Sequence, residues 1–322
     1  MTLHIGIFGT GWFAEKHAAM LTAMEDVTVS AICGSSLEKA QRFAAKFPGA
    51  SAFAAVENML ESVKLDAAYI CVPPFAHGRI ELALAERGIP FFVEKPLAAN
   101  LETPTEILEA VNSKGLITSV GYHFRYTEGT SRVRRLLEEQ TAGMALGYWM
   151  GGMPGVYWWR MENGSGGQFV EQTTHIVDLL RYTLGEVTEV YASFALRHKH
   201  LTEEGVTVPD VGTVTLKLAS GAVANISNTC LLPVSHTTGL HIYTDKGVLE
   251  LHGKGLKEIK QGQTTEYQNQ SDPYQAENAA FIHALHTGDA SGILSSYEDA
   301  WKSQQVAIAA VQSAKTGLPV RL

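Results

Sequence analysis

Two repeating patterns alternate along the chain as far as Gly121. Leu3 to Phe8 is an apolar run of strand length, and Gly9-Thr10-Gly11-Trp12-Phe13-Ala14 leads from it into a helical spacing that lasts to about Ala23. The pair recurs as strand Val27 to Cys33 with helix Leu37 to Phe47, and again as strand Ala67 to Val72 with helix His77 to Arg87. Strand Phe91 to Val93, helix Thr103 to Lys114 and strand Ile117 to Gly121 complete the series. Near-continuous apolar strands alternating with helices of this length predict a parallel sheet built from right-handed crossovers.

From about Tyr122 the pattern changes. A helix over Thr130 to Glu139 leads to a strand at Ala145 to Trp149, then an irregular aromatic and glycine-rich passage, then a helix from about Gln168 to Leu184. After Val187 the alternation is that of strands on short connections. Val211 to Leu218, Ser220-Gly221 and Ala222 to Ile226 read as one hairpin, and Asp245-Lys246-Gly247 marks another. Helices at Tyr274 to His286 and Ser296 to Lys315 end the chain. The fold class is therefore α/β, with a doubly wound parallel sheet over residues 1–121 and an α+β domain with a mostly antiparallel sheet over residues 122–322.

Composition narrows the partners. The 322 residues are 45% hydrophobic and 18% charged, as in a globular protein, and the net charge is −8. Small basic clusters such as Arg132-Val133-Arg134-Arg135 are offset, here by Glu138 and Glu139, and read as a solvated helix face, so no nucleic-acid partner is expected. Cys33, Cys71 and Cys230 are isolated, with no paired spacing for zinc or a redox couple. The first strand begins at Leu3, leaving no room for a signal peptide, and no apolar run is long enough to span a membrane; a cytoplasmic location is expected.

Four constellations carry chemistry. Gly9-x-Gly11-x-x-Ala14 stands between a strand and a helix, where glycines let the backbone approach a pyrophosphate at the helix N-terminus; Thr10, Trp12 and Phe13 belong to the same turn. The next strand ends in Cys33-Gly34-Ser35-Ser36 without the acidic residue that would repel a 2′-phosphate. Ser35 and Ser36, with Lys39 and Arg42 in the following helix, favour NADP over NAD, although the serines also suit a helix cap. At the next two strand ends come Val72-Pro73-Pro74-Phe75-Ala76-His77 and Glu94-Lys95-Pro96, where the proline keeps Lys95 extended at the ligand-binding edge of the sheet. Last, Glu171, His175 and Asp178 fall at i, i+4 and i+7, which puts all three on one face of the Gln168 to Leu184 helix.

These motifs in this order resemble the Gfo/Idh/MocA oxidoreductases, the relatives of glucose–fructose oxidoreductase and inositol dehydrogenase. The resemblance rests on Gly9-x-Gly11-x-x-Ala14, Glu94-Lys95-Pro96 and Gly166-Gly167 leading to His175 and Asp178, and extends over Gly121-Tyr122-His123-Phe124-Arg125-Tyr126 and Ser313-Ala314-Lys315-Thr316-Gly317-Leu318-Pro319-Val320. It implies a Rossmann domain, a second domain whose open sheet forms homodimers or homotetramers, and Lys95 and His175 as catalytic residues. The family usually carries aspartate and glycine where this chain has Glu171 and Thr173.

The activity so implied is hydride transfer between a nicotinamide cofactor, NAD(P), and a secondary alcohol of a sugar, cyclitol or sugar-derived polyol. His175 serves as general base, Lys95 stabilises charge on the alcohol oxygen, and Glu171 orients substrate or histidine. Tyr157, Trp158, Trp159 and Arg160 are wall candidates for a sugar, the tryptophans being equally suited to the core, and His123 and Arg125 are further pocket candidates. Two alternatives stand beside this: transient oxidation that drives glycosidic cleavage or elimination, and a non-catalytic sensor. No metal is expected, since His198-Lys199-His200, with basic neighbours and no nearby cysteine, reads as a surface loop, and His283 with His286 has no clear third ligand.

Overall fold

The computed structural model describes residues 2–322, which fold as two compact units. The first takes the chain up to residue 98 together with 102–121 and 274–301; the second takes 99–101, 122–273 and 302–322.

In the first unit the expected alternation is present: β1 (Leu3–Phe8), α1 (Trp12–Thr22), β2 (Val27–Cys33), α2 (Leu37–Ala44), β3 (Ser51–Phe53), α3 (Val56–Ser62), β4 (Ala67–Ile70), α4 (Arg79–Glu86), β5 (Phe91–Val93), α5 (Glu102–Lys114) and β6 (Thr118–Val120). The strands form a parallel six-stranded sheet in the order β3-β2-β1-β4-β5-β6. The order reverses between β1 and β4, so the turns after these two strands open a crevice at the carboxyl edge, where sheets of this kind take ligands. β4, β5 and β6 are buried throughout, as apolar parallel strands must be. Val27, Val29, Ile32, Tyr69 and Phe92 join Ala14, Ala18 and Leu21 of α1 in one core, which Phe281 and Ile282 complete. β3 and α3 were not expected: three residues are too few to show an alternation, and no side chain caps α3.

The second unit contains α6 (Glu128–Leu137), β7 (Ala142–Met150), short helices α7 (Glu162–Ser165) and α8 (Gln168–Glu171), α9 (Thr174–Leu184), β8 (Val187–Ala195) and the one-turn α10 (Lys199–Thr202). Strands β9 (Val211–Leu218) to β14 follow, with β10 (Val223–Thr229), β11 (Thr237–Thr244), β12 (Gly247–His252), β13 (Gly255–Lys260) and β14 (Gln263–Gln268) between. α11 (Pro273–Thr287), α12 (Tyr297–Thr316) and β15 (Val320–Arg321) end the chain, residues 274–301 belonging to the first unit and 302–322 to the second. The sheet has nine strands, ordered β14-β13-β12-β11-β7-β10-β9-β8-β15, and is antiparallel except where β10 runs parallel to β7. Both expected hairpins are present, β9 with β10 and β11 with β12. Its core packs Ile176, Val177 and Leu180 of α9 against Ala145, Val214, Ile226 and Leu240 of the sheet.

One local expectation is corrected. The predicted helix from Gln168 to Leu184 is two helices, broken at Gln172 and Thr173. Thr173 N–H reaches back five residues to the Gln168 carbonyl (2.9 Å), a wide turn that offsets α8 from α9. Glu171 therefore belongs to a different helix from His175 and Asp178, and the one continuous helix from which their shared face was inferred is not formed.

Candidate functional site

In the first unit, the turn after β1 depends on two glycines. Gly9 has φ +113°, and a Cβ there would stand 2.2 Å from the Cys71 carbonyl oxygen, so the turn packs directly on the chain leaving β4. Gly11 caps α1 with no side chain, and nothing lies within 4 Å of where its Cβ would be. The first N–H groups of α1, at Trp12, Phe13 and Ala14, have no intrahelical partner by position, and the space in front of Gly11 is open. A diphosphate fits this cradle. Trp12 is 66% exposed, whereas Ala14 is buried in the core and contributes only backbone to the turn.

Thr10 packs on Gly34, where an added Cβ would meet the threonine methyl at 3.0 Å. Ser36 Oγ accepts the Lys39 N–H (3.3 Å) as the α2 cap, and Arg42 pairs with Glu38 (2.6 Å) on the exposed face of α2. Lys39 Nζ donates to Ser35 Oγ (3.2 Å), on the exposed side of the turn. After β4, Val72, Pro73 and Pro74 lead to His77, whose Nδ1 lies 2.5 Å from Glu81 Oε1, while Glu81 Oε2 accepts the Gly78 N–H at 2.7 Å. The His77 side chain is thereby turned inward and buried.

β5 ends in Glu94, buried and 3.0 Å from His17 Nε2, followed by half-buried Lys95 and a cis Lys95–Pro96 peptide. The Glu94 carboxylate fits against Gly121, where a Cβ would approach it to 2.9 Å. His17 was not anticipated. It lies on the inner face of α1 with Ala14, Ala18 and Leu21, a polar residue in an apolar stripe, and that break in pattern was its signal.

The second unit surrounds His175 with rings. Tyr122, His123 and Phe124 have centroids 5.7, 4.9 and 5.1 Å from the imidazole, and Trp149 stacks on it at 5.9 Å. Burial, followed by the nearby Asp178 charge, raises the Tyr122 phenol, whose hydroxyl pairs with Thr174 Oγ1 at 2.9 Å. Neither Tyr122 nor Trp149 was singled out in sequence, although Trp149 stands at the end of a predicted strand.

Glu171 Oε2 accepts the indole N–H of Trp159 at 2.7 Å. Trp159 is buried with Val206, Val208 and Cys230, so it is a core residue that holds Glu171, whereas Tyr157 is 59% exposed and Trp158 half-buried. Arg160 pairs with Glu203 (3.1 Å). Asp178 is a structural anion: Arg125 donates to both its oxygens, Nε at 2.7 Å and Nη2 at 2.6 Å, and Ser303 Oγ donates at 2.8 Å. Arg125 is buried in that pair. Thr173, in place of the family's usual glycine, has φ −69°, a conformation that requires none. Gly166 and Gly167 have positive φ and line a cavity of about 180 Å³ with Phe194, Asn228 and Val311, to which neither Glu171 nor His175 contributes.

Comparison with known proteins decides the family. Residues 3–122 match the oxidoreductase family, NAD-binding Rossmann fold, and residues 131–250 match the GFO/IDH/MocA C-terminal domain. The chain belongs to the Gfo/Idh/MocA oxidoreductases. Myo-inositol 2-dehydrogenase of Thermotoga maritima is 25% identical over 76% of this chain and 74% of that protein. The scyllo-inositol 2-dehydrogenase (NAD(+)) of Bacillus subtilis is 26% identical over 82% and 80%. Levoglucosan dehydrogenase in complex with NADH has the same fold, with a TM-score of 0.88 at 18% identity over 100% of this chain and 99% of that one. Membership makes the chain a nicotinamide-dependent oxidoreductase with NAD as cofactor class.

Proposed function

We propose that the protein oxidises a secondary alcohol of a cyclitol or sugar, with Lys95 and His175 acting on the same oxygen. Inositol and levoglucosan dehydrogenases among its relatives support a substrate of that class. The observation that carries the proposal is the retention of both reacting groups within a full family match: Lys95 at the carboxyl end of β5 in the Rossmann unit and His175 at the start of α9 in the other.

Bound nicotinamide supplies the hydride acceptor. His175 takes the hydroxyl proton as the carbon–hydrogen bond breaks, and the Lys95 ammonium donates a hydrogen bond to the oxygen as negative charge develops there. The products are a ketone, the reduced cofactor and a proton. Glu171, fixed by Trp159, orients the sugar hydroxyls or the imidazole, and Tyr157 and Trp158 offer aromatic faces to the apolar face of the ring. For the cofactor we propose a preference for NADP. The segment Gly34-Ser35-Ser36 that follows β2 in sequence carries no carboxylate, the nearby Glu57 charge is paired with Arg79, and Ser35 and Lys39 lie there as donors to a 2′-phosphate. Ser36 and Arg42 contribute less, being held by the α2 cap and by Glu38. We further propose assembly into homodimers or homotetramers through the outer face of the nine-stranded sheet, where the neighbouring side chains Met144 and Val223 are exposed.

Nicotinamide absorbance, followed with inositols, glucosides and levoglucosan against NAD and NADP in parallel, tests this. One reduced cofactor is expected per alcohol oxidised, with the lower KM for NADP. Tight dinucleotide binding with no reduction on any of them would overturn the dehydrogenase reading, and product formed without net cofactor reduction would assign transient oxidation instead.

A further inference from the structure

The buried polar cluster beneath the Glu94-Lys95-Pro96 segment has no counterpart in the proposed chemistry. His17 is 0% exposed and wedged between aromatic rings, with Phe92 at 4.8 Å and Tyr69 at 5.5 Å. Both its nitrogens are engaged. Asn278 Nδ2 donates to the Tyr274 carbonyl (2.6 Å), which identifies that atom as the amide nitrogen, and it also stands 3.0 Å from His17 Nδ1. Nδ1 also lies 3.1 Å from Asn278 Oδ1, but the Glu94 carboxylate can only accept, so its Oε1, 3.0 Å away, takes the proton carried by Nε2. The carboxylate so held is also shaped by Gly121, the one residue type that leaves it room. A further carboxylate, Glu277, brings its donor atom within 4.8 Å of those of His17 and Glu94.

We infer that His17 is a positioning residue for the oxidation: its Nε2–H fixes the Glu94 carboxylate, and Glu94 in turn fixes the direction in which the next residue, Lys95, leaves β5. The inference rests on the proposed role of Lys95. Three facts carry it. A buried carboxylate without a donor is costly, so Glu94 keeps this orientation only while the imidazole is present. The peptide unit that enters Glu94 is pinned to both neighbouring segments, its N–H to the Ile70 carbonyl (2.8 Å) and its carbonyl to the Gly121 N–H (3.0 Å), so the direction taken by the next residue, Lys95, depends on how the Glu94 side chain is held. Finally, His17 lies on α1, the helix whose N-terminus faces the diphosphate cradle, so one hydrogen-bonded chain, Asn278–His17–Glu94, ties the cofactor helix to the reacting lysine. A ring with both nitrogens so engaged is a linker in this chain and not a metal ligand.

The test compares His17→Phe, which removes the donor, with His17→Gln, which returns an N–H near the Nε2 position. Steady-state kinetics, the primary deuterium isotope effect on kcat, NADH binding by fluorescence and thermal unfolding are measured for both. Misplacing a reacting group by about 1 Å costs roughly 10²-fold in rate, so His17→Phe should lose kcat on that scale, with NADH affinity retained and a raised isotope effect. His17→Gln should recover most of the loss. Should His17→Phe not fold, Glu94→Leu, which keeps roughly the shape and removes the acceptor, is expected to show the same split. Wild-type kcat in a folded His17→Phe or Glu94→Leu protein would overturn the inference, as would loss of NADH affinity in step with kcat in both histidine variants, or stoichiometric metal in the purified wild type. Lys95→Ala serves as the separate control: if it retains turnover, the reading of Lys95 fails, whatever the His17 variants do.

Discussion

At the residue scale, two buried carboxylates of the second unit, Asp178 and Asp210, are held by partners within the fold. Asp178 looks like half of an acid–base pair in sequence, yet Arg125 and Ser303 take both its oxygens. Removing one partner from a buried ion pair leaves the other uncompensated, so Asp178→Asn should cost about 3–5 kcal/mol in urea unfolding. The Asp178→Leu, Arg125→Met double variant should recover part of that loss. Asp210 behaves similarly on a smaller scale. Burial pushes its carboxyl up, but the backbone N–H groups of Lys199, Arg197 and His198 outweigh that and hold it below the ordinary aspartate range. A depressed carboxylate stabilises the fold above its unfolded value, and the contribution disappears as pH falls through the folded value. Unfolding midpoints measured from neutral to acid pH should therefore decline less steeply in Asp210→Asn than in the wild type. Gly9→Ala combines a positive φ with a 2.2 Å approach to the Cys71 carbonyl and should abolish NADH binding, read by fluorescence titration.

The scale of elements shows why some of this was legible in sequence and some was not. Strand–turn–helix units such as β1 with α1 declare themselves locally, because an apolar run, a glycine turn and a helical spacing are adjacent in the chain. The Glu94-Lys95 position followed the same logic, as did both hairpins. The break at Gln172 and Thr173 was hidden because neither residue is glycine or proline, and the cause is a five-residue backbone hydrogen bond that spacing does not encode. Restoring the family's glycine at this point, Thr173→Gly, relieves no strain, so it should destabilise the protein by roughly 0.5–1 kcal/mol through backbone entropy. The partners of His17 escaped for a different reason: Glu94 and Asn278 are 77 and 261 residues away, and pairings at such separation leave no periodic trace. The three cysteines, isolated in sequence, are free thiols, Cys33 and Cys230 being buried. Burial pushes the Cys33 thiol up to about 11 and Cys230 up to about 12, so both should resist aromatic disulfide reagents at pH 8 in the native protein and react once it is unfolded.

At the scale of the whole molecule, the proposed chemistry needs a Rossmann unit and a mixed-sheet unit each to bring one reacting group to one alcohol. Among the described residues no helix is long and apolar enough to cross a membrane. The proposed substrate and cofactor preferences rest on a few side chains, among them Glu171 held by Trp159 and the serine pair after β2. The most direct measurement is pre-steady-state cofactor reduction by Lys95→Ala and His175→Ala, alone and combined, with NADH affinity measured in the same samples. Each single variant is expected to slow hydride transfer by roughly 10²–10³-fold at unchanged NADH affinity, and the double variant by little more than either, as for groups acting on one oxygen. Hydride transfer at the wild-type rate in either variant, or losses that simply multiply in the double variant, would contradict this chemistry.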